Sequence, residues 1–141
     1  MSGTTLRIII ALVFFVHGVG HAMGIIPALG LSTVKGWSSQ SWLLTPILGD
    51  TASRVISVIL FLAALVGFLA AALGLMGWLV PRDSWRALAI VSAVISLIAL
   101  ALFWNAFVSL IPNKLGAIAV DVATLVCLLG LNWPSEADIG F

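Results

Sequence analysis

Long apolar stretches separated by short clusters of polar and turn-forming residues organise the chain. The first begins at Ile8-Ile9-Ile10, just after Arg7, and stays apolar through Ile26. That is roughly twenty residues, enough for an α-helix to cross the hydrocarbon of a bilayer. The first span is placed at 5–26, with Pro27 ending it, because proline disfavours helix in the residue before it. The same pattern predicts spans over 52–80, 84–109 and 114–131. Pro81-Arg82-Asp83-Ser84-Trp85-Arg86 and Pro112-Asn113-Lys114 read as tight turns. Asp50 or Thr51 is expected to cap the second span and Asp83 the third. Residues 27–50 form the long connection, broken by Gly30, Gly36, Pro46 and Gly49. Trp37 and Trp42 within it favour a membrane–water interface. The fold expected is all-α: a single transmembrane domain, 1–141, forming an integral membrane four-helix bundle with a long interfacial loop between helices 1 and 2.

Composition strengthens the membrane reading and narrows the function classes. Of the 141 residues, 62% are hydrophobic and only 8% charged, against about a quarter charged in a soluble domain. A secretory leader would also show a basic residue followed by an apolar run, but here the run continues to spanning length. A net charge of +1 gives nucleic-acid binding no electrostatic support. Cys127 is the single cysteine, so an intrachain disulfide is excluded. With both termini on one side, Arg7, Arg82 and Arg86 share that side, opposite Lys35, Arg54 and Lys114. The two arginines in the shortest loop favour cytoplasmic termini.

Candidate chemistry gathers around His17-Gly18-Val19-Gly20-His21-Ala22-Met23-Gly24. Positions four apart share a helix face, which groups His17 and His21 with Gly20 and Gly24. Small residues at that spacing admit a neighbouring helix, so the histidines are expected to face protein. Ala63, Gly67, Ala71 and Gly74 form a second packing stripe. Depth along the helices adds Asp121. At ~1.5 Å per residue, His17 lies about 16–18 Å into span one and Asp121 about 11 Å into span four from the opposite surface. These depths nearly coincide, with Asn105 and Arg54 closer to the same surface. A polar pocket of His17, His21, Asp121, Asn105 and Arg54 beneath residues 27–50 is therefore expected. Histidine beside carboxylate suits a proton relay, a general base or a mixed metal site, and His17 and His21 are candidate metal ligands. Both lie on one helix face, so they cannot ligate a single haem from opposite sides. The plainer reading is histidines that hydrogen-bond across the bundle and a carboxylate paired only for neutrality.

Arg7-Ile8-Ile9-Ile10-Ala11-Leu12-Val13-Phe14-Phe15-Val16-His17-Gly18 resembles the first helix of the DoxX-like family of small four-helix membrane proteins. The four-span size and long first loop are also similar. That family has a lysine shortly after the glycine, where this chain has His21. The resemblance implies a bacterial inner-membrane protein, in some members tied to quinone or sulfur redox systems. The function expected is that of an accessory or scaffold subunit of a larger membrane complex, redox or photosynthetic, held among other membrane subunits or as a homo-oligomer. The alternative is a membrane redox enzyme or cofactor-binding protein, quinone-linked, that uses the His/Asp pocket. Sequence leaves open whether the chain is an enzyme and names no cofactor.

Overall fold

A computed structural model of the chain describes residues 2–32 and 34–141. Among these, four helical segments are long and apolar enough to cross a membrane: Gly3–Ala28, Asp50–Met76, Arg82–Leu102 and Leu110–Gly130. The first comprises α1 (Gly3–Gly20) and α2 (Ala22–Ala28). A short helix α3 (Leu44–Leu48) precedes α4 (Asp50–Met76), which is followed by α5 (Trp85–Leu102) and α6 (Leu115–Leu125). The principal packing runs α1 on α4, α4 on α5 and α5 on α6.

Local chemistry sets the boundaries, and several differ from the sequence expectation. Ser2 caps α1 by accepting the Thr5 N–H at 3.2 Å. The junction at His21 tightens: its N–H reaches Gly18 O, three residues back, at 3.0 Å, the spacing of a 3₁₀ turn. Pro27 does not end the helix. It lies buried inside α2, which continues to Ala28, and Gly30 at φ +73° turns the chain away. The second span stops at Met76, four residues short of position 80. Gly77 adopts φ +69°, and Trp78 N–H bonds back to Leu73 O at 2.9 Å. This left-handed glycine closure satisfies carbonyls the helix end would leave free. Asp50 opens α4 without a side-chain cap, and Asp83 does not cap α5, whose N-cap is Ser84.

The third helix ends at Leu102 and not at 109, so Asn105 lies beyond the span. Its end is capped from the long connection. The indole N–H of Trp42 donates to Ala101 O in the last turn of the helix, and that of Trp37 to Ala106 O in the turn Trp104–Ala106 that follows, both at 2.7 Å. Ser38 N–H donates to Asn105 O at 3.0 Å. Helix ends leave carbonyls without partners, and these bonds supply them.

Small residues set the α4–α5 spacing. Ala64 and Ala71 on α4 are fully buried, as are Ala89 and Ala93 on α5. A side chain on Gly67 would run into Ser92, and one on Gly74 would meet Trp85 Cβ at 3.2 Å. Ala63 faces outward, so the packing stripe runs through Ala64, Gly67, Ala71 and Gly74.

Candidate functional site

The structure brings His17, His21 and Asp121 together from α1, the α1–α2 junction and α6. Ser96 of α5 joins them. His17 Nε2 lies 2.8 Å from Asp121 Oδ1, the one side-chain ion-pair contact among the described residues. Asp121 Oδ2 lies 2.5 Å from Ser96 Oγ, and Ser96 Oγ lies 2.7 Å from His21 Nε2. His21 Nδ1 donates to the backbone carbonyl of His17 at 2.9 Å. The result is a closed circuit linking three long helices. Asp121 and Ser96 are fully buried, His21 is 1% exposed, and the His17 side chain is 8% exposed.

Aromatic rings cover part of the circuit. Phe68 lies edge-on to His17, with ring centroids 4.6 Å apart. Phe61 and Phe107 sit 6.3 and 6.4 Å from the His21 ring. These phenylalanines are nearly or fully buried, so on their side of the circuit the polar groups lie in a low-dielectric setting that strengthens satisfied hydrogen bonds.

The protons of this circuit can be counted. A backbone carbonyl only accepts, so His21 Nδ1 must carry hydrogen. The three remaining links, His17–Asp121, Asp121–Ser96 and Ser96–His21, each require one hydrogen. With neutral imidazoles, His17 supplies one from Nε2 and Ser96 supplies one. An ionised Asp121 supplies none, leaving one link without a proton. One added proton completes the set. On Asp121 Oδ2, it donates to Ser96, whose hydroxyl then donates to His21 Nε2. On His21 Nε2, it donates to Ser96, whose hydroxyl then donates to Asp121. Either arrangement fills every link with no net charge; with the proton on Asp121 no group is ionised, whereas with it on His21 the circuit holds a buried imidazolium–carboxylate pair, which is costlier to desolvate. The two arrangements interconvert by moving hydrogens between neighbours through Ser96.

The same side chains offer metal chemistry. One ligand atom from each of His17, His21 and Asp121 lies within 4.8 Å of the others. Two imidazoles and a carboxylate suit a transition metal. His21 already donates Nδ1–H to a carbonyl, the outer contact that orients a ligating histidine. The present bonds, however, join these atoms directly to one another and to Ser96.

Two expected members of the pocket lie elsewhere. Asn105 is exposed beyond the end of α5, engaged through its backbone carbonyl. Arg54 is half-buried, with its guanidinium beside Gly30; it makes no hydrogen bond to the circuit. Of the two glycines sharing the histidine face, Gly24 packs directly on the Phe61 ring. A side chain at Gly20 would meet nothing within 4 Å, so Gly20 is not a packing contact. Gly18 packs instead, with Phe68 Cβ 3.0 Å from its projected Cβ. Ser96 was not singled out by sequence. Its signal is the Ser92/Ser96 spacing, which puts two hydroxyls on one face of an otherwise apolar helix. No protein-family model matches the chain, and neither the curated proteins nor the solved structures contain a match.

Proposed function

We propose that the chain is a multi-pass protein of a bacterial inner membrane and works as a cofactor-binding or redox-linked component whose buried circuit holds and passes one proton. The closed His17–Asp121–Ser96–His21 arrangement carries this reading. It is complete, with no net charge, when a single proton sits on either Asp121 or His21. Asp121 is fully buried, where a carboxylate is costly to place, and ionisable groups within spans mark functional sites by default. The four long apolar helices support the membrane setting, and the first-helix resemblance to the DoxX-like family supports the choice of membrane.

Asparagine at position 121 separates proton transfer from structure. Its amide oxygen accepts from His17, and its NH₂ donates to Ser96, reproducing every link of the Asp-protonated arrangement. Asp121→Asn should keep the folded state while abolishing the movable proton. Asp121→Leu, which strands His17 and Ser96, should unfold at a clearly lower temperature, since each buried group left unpaired costs about 1–3 kcal/mol. Infrared difference spectra across a pH jump provide the readout. The native protein should show a carboxyl band that changes intensity and is absent from Asp121→Asn. Identical difference spectra for the two proteins would overturn the proposal.

The scaffold reading draws on a different observation: all circuit links are satisfied within the chain, and much of the outer face of each long helix is apolar and exposed. Under that reading the protein extracts with defined partner subunits, and Asp121→Asn changes neither assembly nor spectra.

A further inference from the structure

The circuit is not closed off on every side. α1 and α6 touch little along their length; the His17–Asp121 bond joins them across an open seam. A cleft of about 150 Å³ beside His17 is lined by Gly20, His21, Met23, Phe107, Asn113 and Ala117. It shares Val16 and His17 with an apolar groove that adds Leu12, Gly116 and Val120. That groove shares Val13 and Val120 with a further apolar hollow reaching Cys127 and Trp133. A polar head site therefore opens into an apolar channel running along the seam between two long helices.

The chemistry of the head site follows from the proton count, so this inference rests on the proposed circuit. His17 uses Nε2–H on Asp121, which leaves its Nδ1 as a bare lone pair. Nδ1 makes no hydrogen bond among the described residues. Nor is it sealed away: among the described residues, the buried side-chain polar atoms without partners are Arg7 Nε and Ser57 Oγ. A lone pair accepts, so at His17 Nδ1 it matches a hydroxyl and repels a carbonyl oxygen, while the Asn113 amide at the cleft can either donate or accept. The cleft has the volume of a cavity that holds one benzene ring, with Phe107 and Met23 as walls.

We propose that the α1–α6 seam is a lateral binding site for a lipophilic phenol. The ring hydroxyl donates to His17 Nδ1 in the cleft, and an alkyl tail lies along the groove over Val13, Val16, Gly116 and Val120. A ligand of this kind partitions into a bilayer and enters sideways.

The test uses 4-nonylphenol and its methyl ether, titrated calorimetrically into the full-length protein in nanodiscs, with protein-free nanodiscs as blank. The phenol should bind saturably and the ether at least tenfold more weakly, because the ether has no proton to donate. Gly20→Leu and Gly116→Leu fill the cleft and groove. A Cβ at Gly20 meets nothing within 4 Å, and one at Gly116 meets only Pro112 Cβ, at 3.9 Å. Both variants should fold, keep the native infrared response of Asp121 and lose phenol binding. Equal binding of phenol and ether, no saturable binding above the blank, or phenol binding that survives both leucines would each overturn the proposal. Loss of the infrared response in the native protein would instead overturn the proton circuit beneath it.

Discussion

At the scale of single residues, two glycines four positions apart behave oppositely. A Cβ on Gly24 would lie 2.5 Å from the Phe61 ring, while one on Gly20 would meet open space. Gly24→Ala should therefore lower thermal stability markedly, on the order of the 1–3 kcal/mol typical of overpacking. Gly20→Ala should leave it unchanged or slightly raised. Thermal unfolding of the two variants side by side decides this, and equal losses would mean that Gly20, like Gly24, is packed against a neighbour. Ser57 gives a second residue-scale prediction. Its hydroxyl is fully buried without a partner, a state that costs about 1–3 kcal/mol, so Ser57→Ala should unfold at a higher temperature than the native chain. The histidine–carboxylate grouping was legible in sequence because helical rise converts position into depth. Ser96 was not, since a serine within an apolar helix is equally at home bonded to its own backbone, as Ser92 is to Leu88 O at 2.6 Å.

At the scale of elements, the ends of helices were harder to read than their existence. Apolar residues continue past Met76 and Leu102, so hydropathy extends both spans; a left-handed Gly77 and the indole of Trp42 on Ala101 O mark where they stop. Asn105 was misplaced for that reason: counted as helix, it falls near the pocket, but beyond the helix end it faces outward. The C-terminal turn Ala137–Ile139 shows how a small polar lock holds an element. Ser135 N–H and its hydroxyl both donate to Asp138 Oδ2 at 2.8 Å. The backbone donor first, then the hydroxyl, holds this carboxyl below its ordinary value of 3.8. A depressed carboxyl stabilises the folded form above the unfolded value, and that stabilisation is lost as pH falls through the lower folded value. Ile139, seated fully buried against the core that includes Ala11 and Phe14, should therefore loosen in acid below about 3.8. The protection of amides 138–141, measured against their intrinsic exchange rates at each pH, should fall there, and Asp138→Asn should remove that fall. An acid response that persists in Asp138→Asn would assign it to another group.

At the scale of the whole molecule, the two ends of the bundle differ in how they hold their cations. At the end carrying both termini, the Phe141 ring lies between Arg7 and Arg82, whose guanidinium carbons are 5.3 and 5.2 Å from its centre. Arg86 donates to Leu128 O and Asn132 Oδ1 at 3.0 Å and also bonds Pro134 O. At the other end, Lys114 lies over the Trp104 ring at 4.8 Å, and its residue is only 7% exposed. A buried cation beside an indole is a weaker topological signal than arginines in a short loop, so the arginine end should face the cytoplasm. Single cysteines at Lys35 and Asp83, in a chain whose Cys127 is alanine, report this through a membrane-impermeant maleimide. Position 83 should label only in inverted vesicles and position 35 only in intact spheroplasts. The reversed pattern would put the termini outside while keeping the four spans. Labelling of both positions from one side would break the four-span topology itself, because the second helix, Asp50–Met76, separates them.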